Sequence, residues 1–146
     1  MPPRAAFAVL VVPYAVALDG AVSYAVFREQ GERDDPWHLL AARGLRGETP
    51  LEAARRAAWQ IAELPPDAAC LALDTRPMIA LAGAPCELPA HAFGVRVSAD
   101  EVRPRRRDVA HHWVAYRIAD GLLHDQAERD VLWELRRRLG SPAPCC

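Results

Sequence analysis

The chain has 146 residues, 51% of them hydrophobic and 25% charged, which is the size and balance of one folded domain and not of a disordered segment. Its 18 Lys+Arg against 19 Asp+Glu leave a formal charge of -1, so no overall field favours nucleic acid or an anionic membrane as a partner. Every basic residue is an arginine, which removes lysine as a catalytic group.

The apolar run at 5–12 has only Arg4 close before it and meets Pro13 and Tyr14 where a signal peptide would have small residues for cleavage. It therefore reads as a strand. No stretch approaches the roughly 20 residues a membrane helix needs, and a cytoplasmic location without a membrane partner is expected. The β-rich pattern reaches Asp19-Gly20 and resumes at 22–27. Asp-Gly between two such runs predicts a hairpin with a type I′ turn, in which both central residues take positive φ.

Residues 28–35 are polar and predict a loop. Residues 36–40, with Trp37 and His38, predict a third strand that ends among Ala41, Ala42 and Gly44, and Gly47 closes the turn that follows. Three helix-start signals then coincide: Thr49 as N-cap, Pro50 at the first helical position and Glu52 as the capping-box partner. This helix is expected to run to about Leu64, before Pro65-Pro66, with Leu51, Ala54, Ala57, Ala58, Ile61 and Leu64 as its apolar stripe. Strands are expected at 69–73, 92–97 and 112–116. Two short helices follow, the second at about 127–139 with Val131, Leu132, Leu135 and Leu139 on one side and Arg136-Arg137-Arg138 before Gly140. Residues 1–140 form one expected domain and 141–146 a short tail. Cys70, Cys86, Cys145 and Cys146 lack zinc or disulfide-framework spacing, so Cys70 and Cys86 are read as small core residues.

The order of hairpin, Trp-bearing strand, glycine turn and capped helix resembles the Nudix family. That family's box reads G-x5-E-x7-R-E-U-x-E-E-x-G-U, with U a bulky aliphatic residue, and it places its first glutamate on Glu48 and its arginine on Arg56. Further segments carry the likeness: Val11-Val12-Pro13-Tyr14, Tyr24-Ala25-Val26-Phe27, Phe93-Gly94-Val95, Trp113-Val114 and Leu132-Trp133-Glu134-Leu135. The resemblance implies an α/β/α sandwich around a mixed β-sheet, and the activity of a bacterial nucleotide pyrophosphohydrolase that uses Mg²⁺.

The box is degenerate. Its leading glycine is Ala42, its later glutamates are Ala57, Gln60 and Ile61, its late glycine is Glu63, and the Glu-His pair expected before the Trp-Val strand is Arg107 and Asp108. Only Glu48 is left as a box carboxylate, and Mg²⁺ wants several hard oxygen ligands. The resemblance therefore implies a nucleotide- or phosphate-ligand binding protein with lost or weak hydrolysis. The alternative is an active hydrolase of nucleoside diphosphate-linked substrates that recruits Glu32, Asp34, Glu63, Asp67 or Asp108 beside Glu48.

Glu48 and Arg56 are the residual catalytic positions, with Glu48 the sole expected metal ligand, against a plain structural reading as an ion pair at a helix start. Arg43, Arg46, Trp37 and His112 are the candidate ligand contacts, against readings as loop surface and core packing. The run Arg103-Pro104-Arg105-Arg106-Arg107 reads as solvated surface, since no aromatics interleave it. His111 and His112 are adjacent in an expected strand and so point to opposite faces. Nucleic acid is not an expected partner, and a homodimer stays open.

Overall fold

The computed structural model describes residues 3–29, 36–81, 83–106 and 109–140. The described residues form seven strands and three helices in the order β1 (Arg4–Val16), β2 (Val22–Glu29), β3 (Leu40–Leu45), α1 (Pro50–Ala62), β4 (Ala69–Ala72), β5 (Met78–Ile79), β6 (Leu88–Arg96), β7 (Val109–Val114), α2 (Tyr116–Leu122) and α3 (Gln126–Gly140). A short 3₁₀ turn, Ala99–Glu101, precedes β7.

The sheet is mixed and organised by β1. One edge of β1 pairs in parallel with β6, from Ala8↔Ala90 to Tyr14↔Arg96. Its other edge is shared, running antiparallel to β3 as far as Val11↔Leu40 and then to β2 from Tyr14↔Tyr24 onward. Pro13 sits at the handover, where its missing N–H leaves no donor without a partner. β2 continues to β7, and β6 carries β4 and β5 on its far side.

Because side chains alternate across a strand, β1 is buried on both faces. Ala8, Leu10, Val12 and Tyr14 pack with Ala119, Leu123, Val131, Leu132 and Leu135 of the α2–α3 layer. Val9 and Val11 pack with Ala53, Ala54, Ala57, Ala58 and Ala62 of α1. This is the expected α/β/α sandwich. The alanine face of α1 lets the helix lie close on the sheet. Each added methylene there must displace a neighbour in a close-packed layer.

Thr49 caps α1 as its sequence predicts. Its Oγ1 accepts from Glu52 N at 3.1 Å, and Glu52 Oε1 accepts from Thr49 N at 2.8 Å. Gly47, at φ 93°, makes the tight entry, and the helix ends on Glu63 in the left-handed conformation at φ 53°. A glutamate there bears a backbone cost that the box's usual glycine would avoid.

Several expectations need correction. The third strand is Leu40–Leu45, not 36–40; Trp37 and His38 form only isolated bridges, to Leu123 and Phe27. The first hairpin is not closed by a type I′ turn. Ala17 accepts from Gly20 N and donates to Ala21 O across a three-residue loop, and only Gly20 has positive φ while the Asp19 carboxylate accepts from Ala21 N. Tyr116 begins α2 and does not end a strand. Leu51 is exposed and Ala53 takes its place in the core. Cys70 is half-buried and Cys86 exposed, so Cys86 is not a core residue.

Candidate functional site

Glu48 and Arg56 meet where the turn after β3 enters α1. Glu48 Oε2 accepts from Arg56 Nε at 2.7 Å, and Oε1 accepts from Arg56 Nη2 at 3.0 Å and from Leu45 N at 2.8 Å. The same guanidinium donates from Nη2 to Arg43 O at 2.9 Å and from Nη1 to Gln60 Oε1 at 3.0 Å. Both side chains are mostly covered. The Arg56 hydrogen bond, opposed in part by burial and joined by the Leu45 N–H, holds the Glu48 carboxyl below its usual range.

The other expected contacts are dispersed. Arg43 folds back, its Nε donating to Ala5 O at 2.9 Å. Arg46 is exposed, and its backbone N–H donates to Pro3 O. Trp37 and His112 do come together, with ring centroids 4.8 Å apart and the Arg28 guanidinium 4.6 Å from the Trp37 ring. His111 stacks on Phe27 from the opposite face, as adjacency in a strand requires.

Beside α1 lies a cavity of about 480 Å³ that sequence reasoning did not place. Gln60 and Ile61 form one wall, Ile79 and Leu81 another, and Leu39 and Leu40 a third, with Glu128 entering from α3 and Asp125 from the residue before it. Glu128 is the single buried charged side chain among the described residues, and its Oε2 accepts from Leu39 N. Burial first, then the nearby charge of Asp125, push its carboxyl up to about 7 against the opposing Leu39 N–H. A signal for it existed: residues 128, 131, 132 and 135 share helical spacing, so an acid occupies the apolar stripe of α3.

The arginine run is stitched to α1, not merely solvated. Arg103 N donates to Ala62 O at 2.9 Å, Arg105 N to Ile61 O at 3.0 Å and Arg105 Nε to Trp59 O at 3.1 Å. The Ile61 and Ala62 carbonyls are ones a helix end leaves open, in a helix with no basic residue in its last turn, while Trp59 O also accepts from Glu63 N. Arg105 and Arg106 then reach the cavity rim, where Arg105 lies 3.8 Å from Glu63 and Arg106 3.5 Å from Glu29. Arg107 lies outside the described residues.

No family model matches the sequence, and no curated protein matches it. Solved structures do. A candidate NUDIX hydrolase from Listeria monocytogenes superposes with a TM-score of 0.81 at 23% identity, over 92% of this chain and 94% of that one. The E. coli dihydroneopterin triphosphate pyrophosphohydrolase gives 0.73 at 14%, over 97% and 100%. The NUDIX domain of Shewanella oneidensis NrtR, solved with ADP ribose, gives 0.64 at 12%, over 93% and 90%. The chain has the Nudix fold.

Nudix hydrolases generally use a divalent cation such as Mg²⁺. The residues described here do not fit one. Both oxygens of Glu48 are engaged by a guanidinium, which repels a second cation, and the Gln60 oxygen is engaged by the same group. Ala57 is 1% exposed within the core, and Ile61 offers no oxygen. Among the described residues no three His, Cys, Asp or Glu side chains converge as a metal site. Of the carboxylates the hydrolase alternative would recruit, Glu63 faces Arg105 and Asp67 is exposed, while Glu32, Asp34 and Asp108 lie outside the described residues.

Proposed function

We propose that this protein binds a nucleotide or another phosphorylated small molecule on a Nudix scaffold, with metal-dependent hydrolysis lost or weak, and that residues 1–140 act as one unit in doing so. The observation that carries the reading is the saturation of Glu48 by Arg56. A carboxylate in that state, on a helix whose other metal-facing positions are Ala57, Gln60 and Ile61, neither concentrates Mg²⁺ nor lets it polarise a pyrophosphate. Arginine supplies positive charge by another route. Arg28, Arg105 and Arg106 line the cavity, and guanidinium groups hold phosphate through paired hydrogen bonds without a metal. The ligand class is supported by the ADP ribose bound to the NrtR domain.

Calorimetric titration with ATP, GTP and ADP-ribose, first in EDTA and then with Mg²⁺ or Mn²⁺, tests the reading when product release is assayed in parallel. Binding that ignores metal, without turnover, is the expected result. Metal-dependent turnover at about 1 s⁻¹ or faster, an ordinary enzymatic rate, overturns it.

A further inference from the structure

The cavity beside α1 contains a group that phosphate binding does not use. Its walls are largely apolar, from Leu10, Leu39, Leu40, Ile61, Ile79 and Leu81, and its volume of about 480 Å³ suits a small organic molecule. Glu128 enters this surface at 9% exposure. One carboxyl oxygen, Oε2, is fixed by Leu39 N–H, while Oε1 accepts from no donor among the described residues. No buried side-chain oxygen among the described residues lacks a partner, so Oε1 is not sealed in protein and opens on the cavity. Glu128 makes no ion pair among the described residues. The titratable and charged groups sharing the cavity are Asp125 just before α3, His38 before β3, Arg28 and Glu29 on β2, and Arg105 and Arg106 before β7; α1 contributes the neutral Gln60 and residues 79–81 contribute none.

We propose that this cavity takes the uncharged, planar heterocyclic end of a ligand, one that carries a hydrogen-bond acceptor beside a donor as a lactam does, and that Glu128 is the residue that reads this edge. A neutral carboxyl donates through an O–H at Oε1 to the lactam C=O, and Oε2, with one lone pair on Leu39 N–H, accepts the lactam N–H at its second lone pair. An ionised carboxylate offers acceptors only and opposes the lactam oxygen. With the carboxyl at about 7, both forms are present near neutrality, and a ligand that covers the cavity removes more water and favours the neutral one. The three arginines at the rim disfavour a cationic ligand and suit a phosphate attached to the heterocycle.

The inference rests on the nucleotide reading for the rest of the ligand, but a probe without phosphate lets the two fail separately. 2-Pyridone, a bare lactam, is titrated into the full chain and followed by the amide resonance of Leu39 at about pH 6 and about pH 8.5. A probe that needs the neutral acid binds roughly thirty-fold less tightly at the higher pH for a carboxyl at about 7. Glu128→Gln, whose amide keeps a donor and an acceptor, is expected to bind at both pH values with little difference, and Glu128→Leu to lose binding while circular dichroism shows it folded. Affinity that rises with pH, binding indifferent to pH, or no shift at Leu39 overturns the proposal. If 2-pyridone behaves as expected while ATP and GTP do not bind, the nucleotide reading falls and the cavity assignment stands. Nucleotide binding with no response to pH or to Glu128→Gln has the reverse meaning.

Discussion

The residue before β3 and the last residue of β3 each hold a glutamate by a backbone amide, Leu39 N–H for Glu128 and Leu45 N–H for Glu48. The two acids end in opposite states. Glu48 also receives the fork of Arg56 and is pulled below its usual range, whereas Glu128 has burial and Asp125 against it and is pushed to about 7. One amide is common to both, so the guanidinium on one side and burial on the other decide the outcome. The carboxylate at the motif position is thus held ionised by a guanidinium, and the carboxyl outside any motif is pushed up to about 7.

The largest test of this contrast is Ala57→Glu, which returns a box glutamate to a position now packed under α1. A charge placed there without a partner is expected to cost about 4 kcal/mol or more, read as a fall in the urea midpoint. A stable variant that binds Mg²⁺ would show that the helix face is still open to chemistry.

Next is the pH dependence carried by Glu128. Its folded-state value is raised, so the native state holds a proton that the unfolded chain releases from about 4.5 upward. Stability from this group is complete below that range and declines as pH rises through about 7, by on the order of 3 kcal/mol. Urea titrations of Glu128→Gln against the parent at acidic and alkaline pH should show the loss removed; an unchanged slope would mean that another group carries it.

Arg56→Ala has the smallest expected effect, about 2 kcal/mol, because Glu48 and Arg56 keep some access to water. Here the sign is opposite. Glu48 is lowered, so the stability it contributes is present above the ordinary carboxylate range and fades as pH falls. The gap between parent and variant should therefore narrow in acid. A gap that widens in acid would separate Glu48 from Arg56 energetically, whatever their hydrogen bonds.

What the sequence made legible was local. Thr49, Pro50 and Glu52 name the start of α1 within four residues, and Gly47 and Gly20 mark turns by their own backbone preferences. What it hid depends on distant partners. Trp37 and His38 look like strand residues, but their ladder partners are single residues of α2's end and β2, so the regular strand begins only at Leu40. The arginine run looks like surface until Ala62, Ile61 and Trp59 supply the carbonyls it binds. Glu128 carried a signal in its helical spacing, yet its use as a clamp on Leu39 needed α3 and the segment leading into β3 to be brought together. The expected ligand contacts of the box region, Arg43 and Arg46, have local roles that only the fold reveals: the Arg43 side chain donates to Ala5 O in β1, and the Arg46 backbone donates to Pro3 O just before it.

The shared edge of β1 has a mechanical meaning. Since β3 leaves β1 where β2 joins it, the sheet is forked, and the mouth of the fork lies beside Phe27, His38 and Leu39. Across it Phe27 and His38 exchange two backbone hydrogen bonds, each 2.8 Å long. Among the described residues this rung is what joins β2 to the segment leading into β3, so the exchange of its two amides with solvent deuterium reports how often that join opens.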